Sequence, residues 1–103
     1  MGVPRYTTPT FTLTFTEQTL DLTHAEKVFV TFQGNGVNFT KDGEDLSVEE
    51  KKIDVFLSQE ESGSLPDGPV RVQANWMNPD GRRYASTIAT VMVSPNLLKK
   101  VIT

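Results

Sequence analysis

Residues 10–16, TFTLTFT, alternate strictly between threonine and a bulky apolar residue. A period of two is the repeat of a β-strand, whose successive side chains point to opposite faces. β-Branched threonine suits the solvated face of a strand. Phe11, Leu13 and Phe15 therefore lie on the buried face, and we assign Phe11 and Phe15 to the core. This run predicts a sheet that is buried on one side.

Similar alternation recurs along the chain, and turn chemistry separates the runs. Two Gly-containing turns, residues 34–36 and 78–81, favour hairpins, because Gly accepts a positive φ and Pro presets φ. Ser58 and Glu61 have the spacing of a capping box, which starts a helical turn. The further predicted strands are residues 27–33, 37–41, 46–48, 53–58, 70–77 and 82–93, with residues 97–102 as a last strand or a short helix. Turns every ~8–12 residues predict an all-β protein, an antiparallel β-sandwich of about seven strands.

Length and composition indicate a single domain. The chain has 103 residues, which is the size of one domain, and no linker divides it. We expect an extended N-terminal segment over residues 1–9 and one sandwich domain over residues 10–103. The chain contains no cysteine, which excludes disulfides, thiolate zinc sites and cysteine nucleophiles. The domain must be stabilised by packing alone.

Charge and hydropathy indicate which partners to expect. The net charge is −3, whereas nucleic-acid-binding domains usually carry a basic face. No apolar run approaches the ~20 residues that span a bilayer. Residues 1–10 lack the apolar region of a secretory signal. We therefore expect neither nucleic acid nor a membrane as a partner, and we predict no signal peptide.

Residues suited to catalysis or metal binding are few and scattered. His24 is the only histidine, so a His-based metal site has too few ligands. A triad of His24, Ser58 and an acid has no supporting motif. The carboxylates of residues 42–45 lack the EF-hand spacing, and Glu60 and Glu61 have no marked partner acid. We predict that the protein is not an enzyme, and that it has no catalytic residues, no metal and no cofactor.

Two aromatic residues interrupt the alternation and indicate a binding surface. Phe29 and Phe56 lie on the faces of their strands opposite the apolar positions. If both strands belong to one sheet, these side chains form an exposed apolar patch, which usually marks a partner surface. The alternative is that a loop or a terminal segment covers each of them. Phe29 and Phe56 are the predicted partner-binding residues.

The remaining aromatic residues leave a second function open. Trp76 shares its strand face with Val70, Val72 and Ala74, so core packing is the favoured interpretation, with Tyr84 stacked across the hairpin. The predicted core aromatic residues are Phe11, Phe15, Phe32 and Trp76. Exposure of Trp76 or Tyr84 on a platform or groove would instead indicate a carbohydrate-binding or adhesion module.

Four stretches of the sequence carry a family resemblance. Residues 20–32 contain a D-L-T-x-A turn followed by a V-x-V-x-F strand, and residues 55–61 read V-F-L-S-Q-E-E. Residues 68–76 read G-P-V-R-V-Q-A-N-W, and residues 80–86 form a D-G-x-x-x-A-S hairpin. This pattern resembles short proteins encoded in the prophage tail regions of Gram-positive bacteria. Its layout is also similar to the N-terminal domain of phage baseplate upper proteins.

The resemblance implies both a fold and a role. The fold is an immunoglobulin-like antiparallel β-sandwich. The role is that of a structural or adaptor protein, whose partners are other tail or baseplate proteins or a second copy of itself. Its location would be the virion or the cytoplasm of a prophage-bearing bacterium. No catalytic residues are implied.

Overall fold

A computed structural model describes residues 3–17 and 20–102. Its strands are β1 (Val3–Pro4), β2 (Thr10–Thr14), β3 (Lys27–Gly34), β4 (Val37–Asp42), β5 (Leu46–Glu49), β6 (Lys52–Phe56), β7 (Gly68–Met77), β8 (Arg83–Ala85) and β9 (Ala89–Ser94). One α-helix, α1 (Gln59–Ser64), and two 3₁₀ turns, Leu22–His24 and Gly43–Asp45, lie between strands.

The strands form two sheets. The larger has the order β1-β9-β7-β3-β4, with β8 also paired to β7, and the smaller has the order β2-β6-β5. Every pair is antiparallel except β1 with β9. Strands β2, β6 and β5 occupy the B, E and D positions of an immunoglobulin-like sandwich, and β9, β7, β3 and β4 occupy G, F, C and C′. The prediction of an all-β, immunoglobulin-like sandwich is confirmed.

The core lies between the two sheets. Phe11 on β2 meets Phe32 on β3 edge to face, with ring centroids 5.3 Å apart, and both side chains are buried. Phe15 packs edge to face against Trp76 at 5.7 Å. Trp76 is 8% exposed, and Phe15 is partly buried against the same cluster. These contacts join the sheets, which have no disulfide to link them.

The segment predicted as one strand over residues 82–93 is two strands. Ser86 interrupts it: its N–H donates to the Ala74 carbonyl (2.8 Å), while its Oγ accepts from the Ala74 N–H (3.0 Å). The Ser86 hydroxyl thus takes the place of a main-chain carbonyl as the acceptor for the Ala74 N–H. Residues 86–88 belong to neither strand, and pairing with β7 resumes at Ala89. This break and the two-residue β1 raise the strand count above the predicted seven.

Residues 97–102 form neither the strand nor the helix that was predicted. The prediction was wrong: no strand among residues 3–17 and 20–102 pairs with this segment. Two hydrogen bonds from the Gln59 side chain hold the main chain of Ile102: its amide donates to the carbonyl (3.0 Å), and its Oε1 accepts from the N–H (2.8 Å).

Helix α1 begins at the predicted capping box. The Ser58 Oγ accepts from the Glu61 N–H (3.1 Å), and the Glu61 Oε1 accepts from the Ser58 N–H (2.8 Å). The N-terminal segment lies over this helix. Arg5 donates to the Gly63 carbonyl (2.6 Å), and Tyr6, at φ +62°, packs its ring against Gly63. Residues 3–9 therefore connect the larger sheet, through β1, to the smaller one.

Candidate protein-binding surfaces

The predicted partner-binding residues, Phe29 and Phe56, lie on opposite sides of the sandwich. Phe29 is on the outer face of β3 in the larger sheet and is partly buried. Phe56 ends β6 in the smaller sheet and is 45% exposed. Because β3 and β6 belong to different sheets, the two side chains do not form one patch. Each belongs to a separate surface.

Phe29 lies in a shallow hollow on the outer face of the larger sheet. The hollow has a volume of about 340 Å³. Its apolar residues include Phe29 and Met77, and Thr31 and Thr40 contribute polar side chains. The register places Phe29 opposite Asn75 on β7 and opposite Asp42 on β4, which makes it the aromatic residue at the centre of this part of the sheet.

The face around this hollow is cationic, although the chain is acidic overall. Lys27 and Arg83 line the hollow, and Arg71 projects from the same face of β7. All three are exposed, and in residues 3–17 and 20–102 none has a carboxylate oxygen within 4.0 Å. Arg83 donates to the Asn75 side-chain oxygen (3.3 Å). Asp42, opposite Phe29 on β4, is a carboxylate on the same face, and the three cations outnumber it, which favours acidic partners.

The outer edge of β2 forms a second surface. The Phe15 N–H donates to the Lys51 carbonyl (2.8 Å), and the Leu57 N–H donates to the Pro9 carbonyl (3.1 Å). Antiparallel pairing therefore turns the odd-numbered residues of β2 toward β6. The main-chain groups of Thr10, Thr12 and Thr14 point away from β6, and no strand in the described part of the chain pairs with them.

A groove of about 500 Å³ runs beside this edge. It separates β2 from the segment that joins β8 to β9. Leu13, Phe15, Leu20 and Trp76 supply its apolar lining. In sandwiches of the constant immunoglobulin type, this edge of strand B is covered by strand A.

A buried ion pair that was not predicted from the sequence fixes the position of α1. Lys41 points inward from β4 and is only 6% exposed. Its Nζ pairs with Glu61 of α1, and with Asp45 at 3.3 Å. Burial alone would lower the pKa of Lys41, but hydrogen bonds to Glu61 and Asp45 outweigh it and raise that pKa. Val37 and Phe39 alternate with polar residues in the sequence. Extending this period of two by two residues places the Lys41 side chain on the same inward face.

The same pair controls the ionisation of Glu61. Burial acts to raise the pKa of this carboxyl. The hydrogen bonds from Lys41 and from the Ser58 N–H outweigh burial and leave the pKa below its ordinary value. Glu61 is therefore held as a carboxylate that caps α1 and pairs with Lys41 at the same time.

The residues considered for catalysis and metal binding are dispersed. Ser58 caps α1 beyond one end of β6, whereas His24 lies near the other end, where it pairs with Asp21 (3.1 Å). Of the carboxylates at residues 42–45, Asp45 is bound to Lys41. Within residues 3–17 and 20–102, no three acidic or histidine side chains are grouped as metal ligands, and no helix has the length and apolarity to cross a membrane.

Tyr84 is exposed, whereas Trp76 is not. Their rings stack with centroids 6.1 Å apart, as the hairpin register predicted. Tyr84 is 41% exposed and borders a hollow of about 300 Å³ that also contains Asp21, His24 and Asn78. An aromatic face beside polar side chains is thus present at this end of the sandwich.

Comparison with known proteins gives no relative. No protein-family model, no curated protein and no solved structure matches the chain.

Proposed function

We propose that the chain is a non-enzymatic structural or adaptor protein of a phage or prophage tail or baseplate, and that it acts through protein–protein contacts. The observation that carries the proposal is the cationic hollow around Phe29. An aromatic residue framed by exposed cations on an open sheet face is suited to a partner protein that presents an apolar side chain among carboxylates.

Two contributions favour association with such a partner. Burying Phe29 and Met77 against a partner removes apolar surface from water, which favours association. Lys27 and Arg83, at the rim of the hollow, then pair with acidic groups of the partner, where charge mainly accelerates encounter and selects the partner. The resemblance to prophage tail-region proteins supplies the biological setting, the virion or the cytoplasm of a prophage-bearing bacterium, and neither nucleic acid nor a membrane is proposed as a partner.

Incorporation into particles tests the proposal. Particles are induced from the bacterium that encodes the chain, purified on a density gradient and immunoblotted. We expect the wild-type protein to sediment with the particles. Phe29→Ser should reduce its incorporation at least tenfold, because central aromatic residues contribute about 2 kcal/mol or more to an interface. Phe56→Ser, on the other sheet, is the matched control and should be incorporated normally.

Charge reversal tests separately the contribution of the cations that border the hollow. We expect Lys27→Glu with Arg83→Glu to reduce incorporation, whereas Arg82→Glu, a neighbouring exposed cation outside the hollow, leaves it unchanged. Absence of the wild-type chain from the particles would contradict the proposal, as would equal incorporation of Phe29→Ser and Phe56→Ser.

Exposure of Tyr84 favours a second candidate, a carbohydrate-binding or adhesion module. An exposed aromatic face beside Asp21, His24 and Asn78 offers stacking and hydrogen bonds to a sugar. Calorimetric titration with cell-wall oligosaccharides tests this candidate. Binding that Tyr84→Ala abolishes would favour it over the tail proposal, and an absence of heat at millimolar sugar would remove it.

A further inference from the structure

The free edge of β2 has the features of a strand-acceptor site. Alternate residues, Thr10, Thr12 and Thr14, turn their main-chain N–H and C=O groups outward, and the adjoining groove is lined by Leu13 and Phe15. An added strand would satisfy the main-chain groups and place alternate side chains in the groove, which is the mode of β-augmentation. An occupant must therefore be extended and must carry apolar residues at alternate positions.

We propose that residues 97–102 of one copy add as a strand to the free edge of β2 in another copy, so that the protein assembles head to tail. The proposal goes beyond the proposed function by naming a second copy of the chain as one assembly partner. It uses a surface distinct from the Phe29 hollow.

Most of the donor segment is exposed, with Val101 half-buried, and it is weakly held. Leu97 is 101% exposed, Leu98 46% and Ile102 63%. Its contact to Gln59 consists of two exposed hydrogen bonds, which water can replace. In an extended conformation, each face of the segment carries two aliphatic residues and one lysine, so either face can enter the groove.

Length and charge both match the acceptor. Six extended residues span about 20 Å and the five residues of β2 about 17 Å. The segment carries Lys99 and Lys100, whereas the groove contains Glu17 and continues, past Leu20, into the hollow that contains Asp21. Asp21 is ionised at neutral pH, as an aspartate ordinarily is, and a hydrogen bond from Thr23 lowers its pKa further. Cationic donor and anionic acceptor are therefore complementary.

The positions of donor and acceptor favour contact between copies. Ile102 is tied to Gln59, at the start of α1, which follows the β6 end that pairs with Thr10. The groove extends beyond the opposite end of β2, toward Glu17 and Leu20. The groove, which is lined from Thr12 onward, thus extends away from the end of β2 that lies near the donor segment of the same copy. A head-to-tail contact of this kind generates rings or filaments.

A peptide in trans tests the acceptor directly. A synthetic peptide of residues 95–102 is titrated into the ¹⁵N-labelled full chain. We expect chemical-shift changes and slower hydrogen exchange at the amides of Thr10, Thr12 and Thr14. In the Thr12→Pro variant, which removes one outward N–H from an edge strand, the peptide should bind at least tenfold more weakly. Trp76 fluorescence verifies that this variant is folded.

Light scattering over a concentration series tests the donor. We expect the wild-type mass to rise with concentration, and the variant Leu97→Ser/Leu98→Ser/Ile102→Ser to remain a monomer. Met92→Ser removes an equally exposed apolar side chain from β9 (51% exposed) and should assemble as the wild type does. A wild-type monomer at millimolar concentration would overturn the proposal, as would peptide-induced shifts confined to strands other than β2.

The two proposals fail independently. Phe29→Ser should leave self-assembly intact, because Phe29 lies on the outer face of the other sheet. If the wild type remains monomeric while its incorporation into particles still depends on Phe29, strand addition is wrong and the proposed function stands. If the chain self-assembles through β2 but is absent from particles, the proposed function is wrong.

Discussion

Glu61→Gln should destabilise the protein by removing one charge while it preserves the helix cap. Glutamine can accept the Ser58 N–H in a capping box as glutamate does, so α1 keeps its N-terminal hydrogen bonds. What is lost is the carboxylate that pairs with Lys41, whose side chain is only 6% exposed. A buried ammonium then keeps Asp45 as its one remaining carboxylate.

The expected cost is about 1–3 kcal/mol. Removing one partner of a fully buried ion pair costs about 3–5 kcal/mol, because an uncompensated charge remains. Two features of this site reduce that figure: Glu61 is 31% exposed, so water already screens it, and Asp45 still pairs with Lys41. A domain of this size has a total stability of roughly 5–15 kcal/mol, so the loss is measurable.

Urea unfolding followed by fluorescence provides the assay, since Trp76 is the only tryptophan and is buried. The pH dependence gives a second readout. The pKa of Glu61 is lower in the folded protein than its ordinary value of 4.5. Its contribution is therefore complete above pH 4.5 and is lost as pH falls through the lower folded pKa. Glu61→Gln should lack this acid-induced loss.

A double-mutant cycle with Lys41→Met decides whether the ion pair is the cause. Lys41→Met fills the site with an apolar chain of similar length, so adding Glu61→Gln in that background should cost less than 0.5 kcal/mol, roughly the scatter of additive pairs. If the Glu61→Gln single variant has the same urea midpoint of unfolding as the wild type, the reasoning is refuted. An equal cost of Glu61→Gln in both backgrounds would refute it as well.

Three further changes test the core, the cap and the N-terminal contact by the same assay. Phe32→Ala should cost about 3–5 kcal/mol, because a fully buried ring between Phe11 and Phe39 leaves a cavity, and a cost below 1 kcal/mol would show that the sheets collapse onto it. Ser58→Ala should cost about 1 kcal/mol by removing the cap of α1, with Ser64→Ala as the control at the other end of the helix. Gly63→Ala should cost about 1–3 kcal/mol, because its Cβ would collide with the Tyr6 ring, and most of that cost should disappear in a Tyr6→Ala background.

Much of the fold was readable from local patterns. The alternation of residues 10–16 and 70–77 identified β2 and β7, and with them the inward side chains that form the core. The capping box at Ser58 located α1. The break at Ser86 was not predictable in the same way, because it depends on a hydrogen bond to Ala74, a residue of the neighbouring strand.

The candidate surfaces depended on sheet assignment, which alternation does not determine. A period of two shows that Phe29 and Phe56 point outward, but the same pattern results whether their strands share a sheet or face each other across the core. The cationic face likewise arises from strand pairing, which places Lys27 and Arg83 on either side of Met77, with Arg71 farther along the same face of β7. By contrast, the inward orientation of the Lys41 side chain could be inferred from the period-two pattern of β4 alone.

The parallel pairing of β1 with β9 has a mechanical consequence. When the two ends of the chain are pulled apart, Val3 and Val93 are drawn in opposite directions along their strands, so the hydrogen bonds between them are loaded together in shear. The bond from the Arg5 N–H to the Ser94 carbonyl (3.1 Å) and the bond from Asn96 to the Arg5 carbonyl (2.9 Å) share this load. The fold therefore resists tension first at the seam between its first and last strands, and the unfolding rate under force is set there.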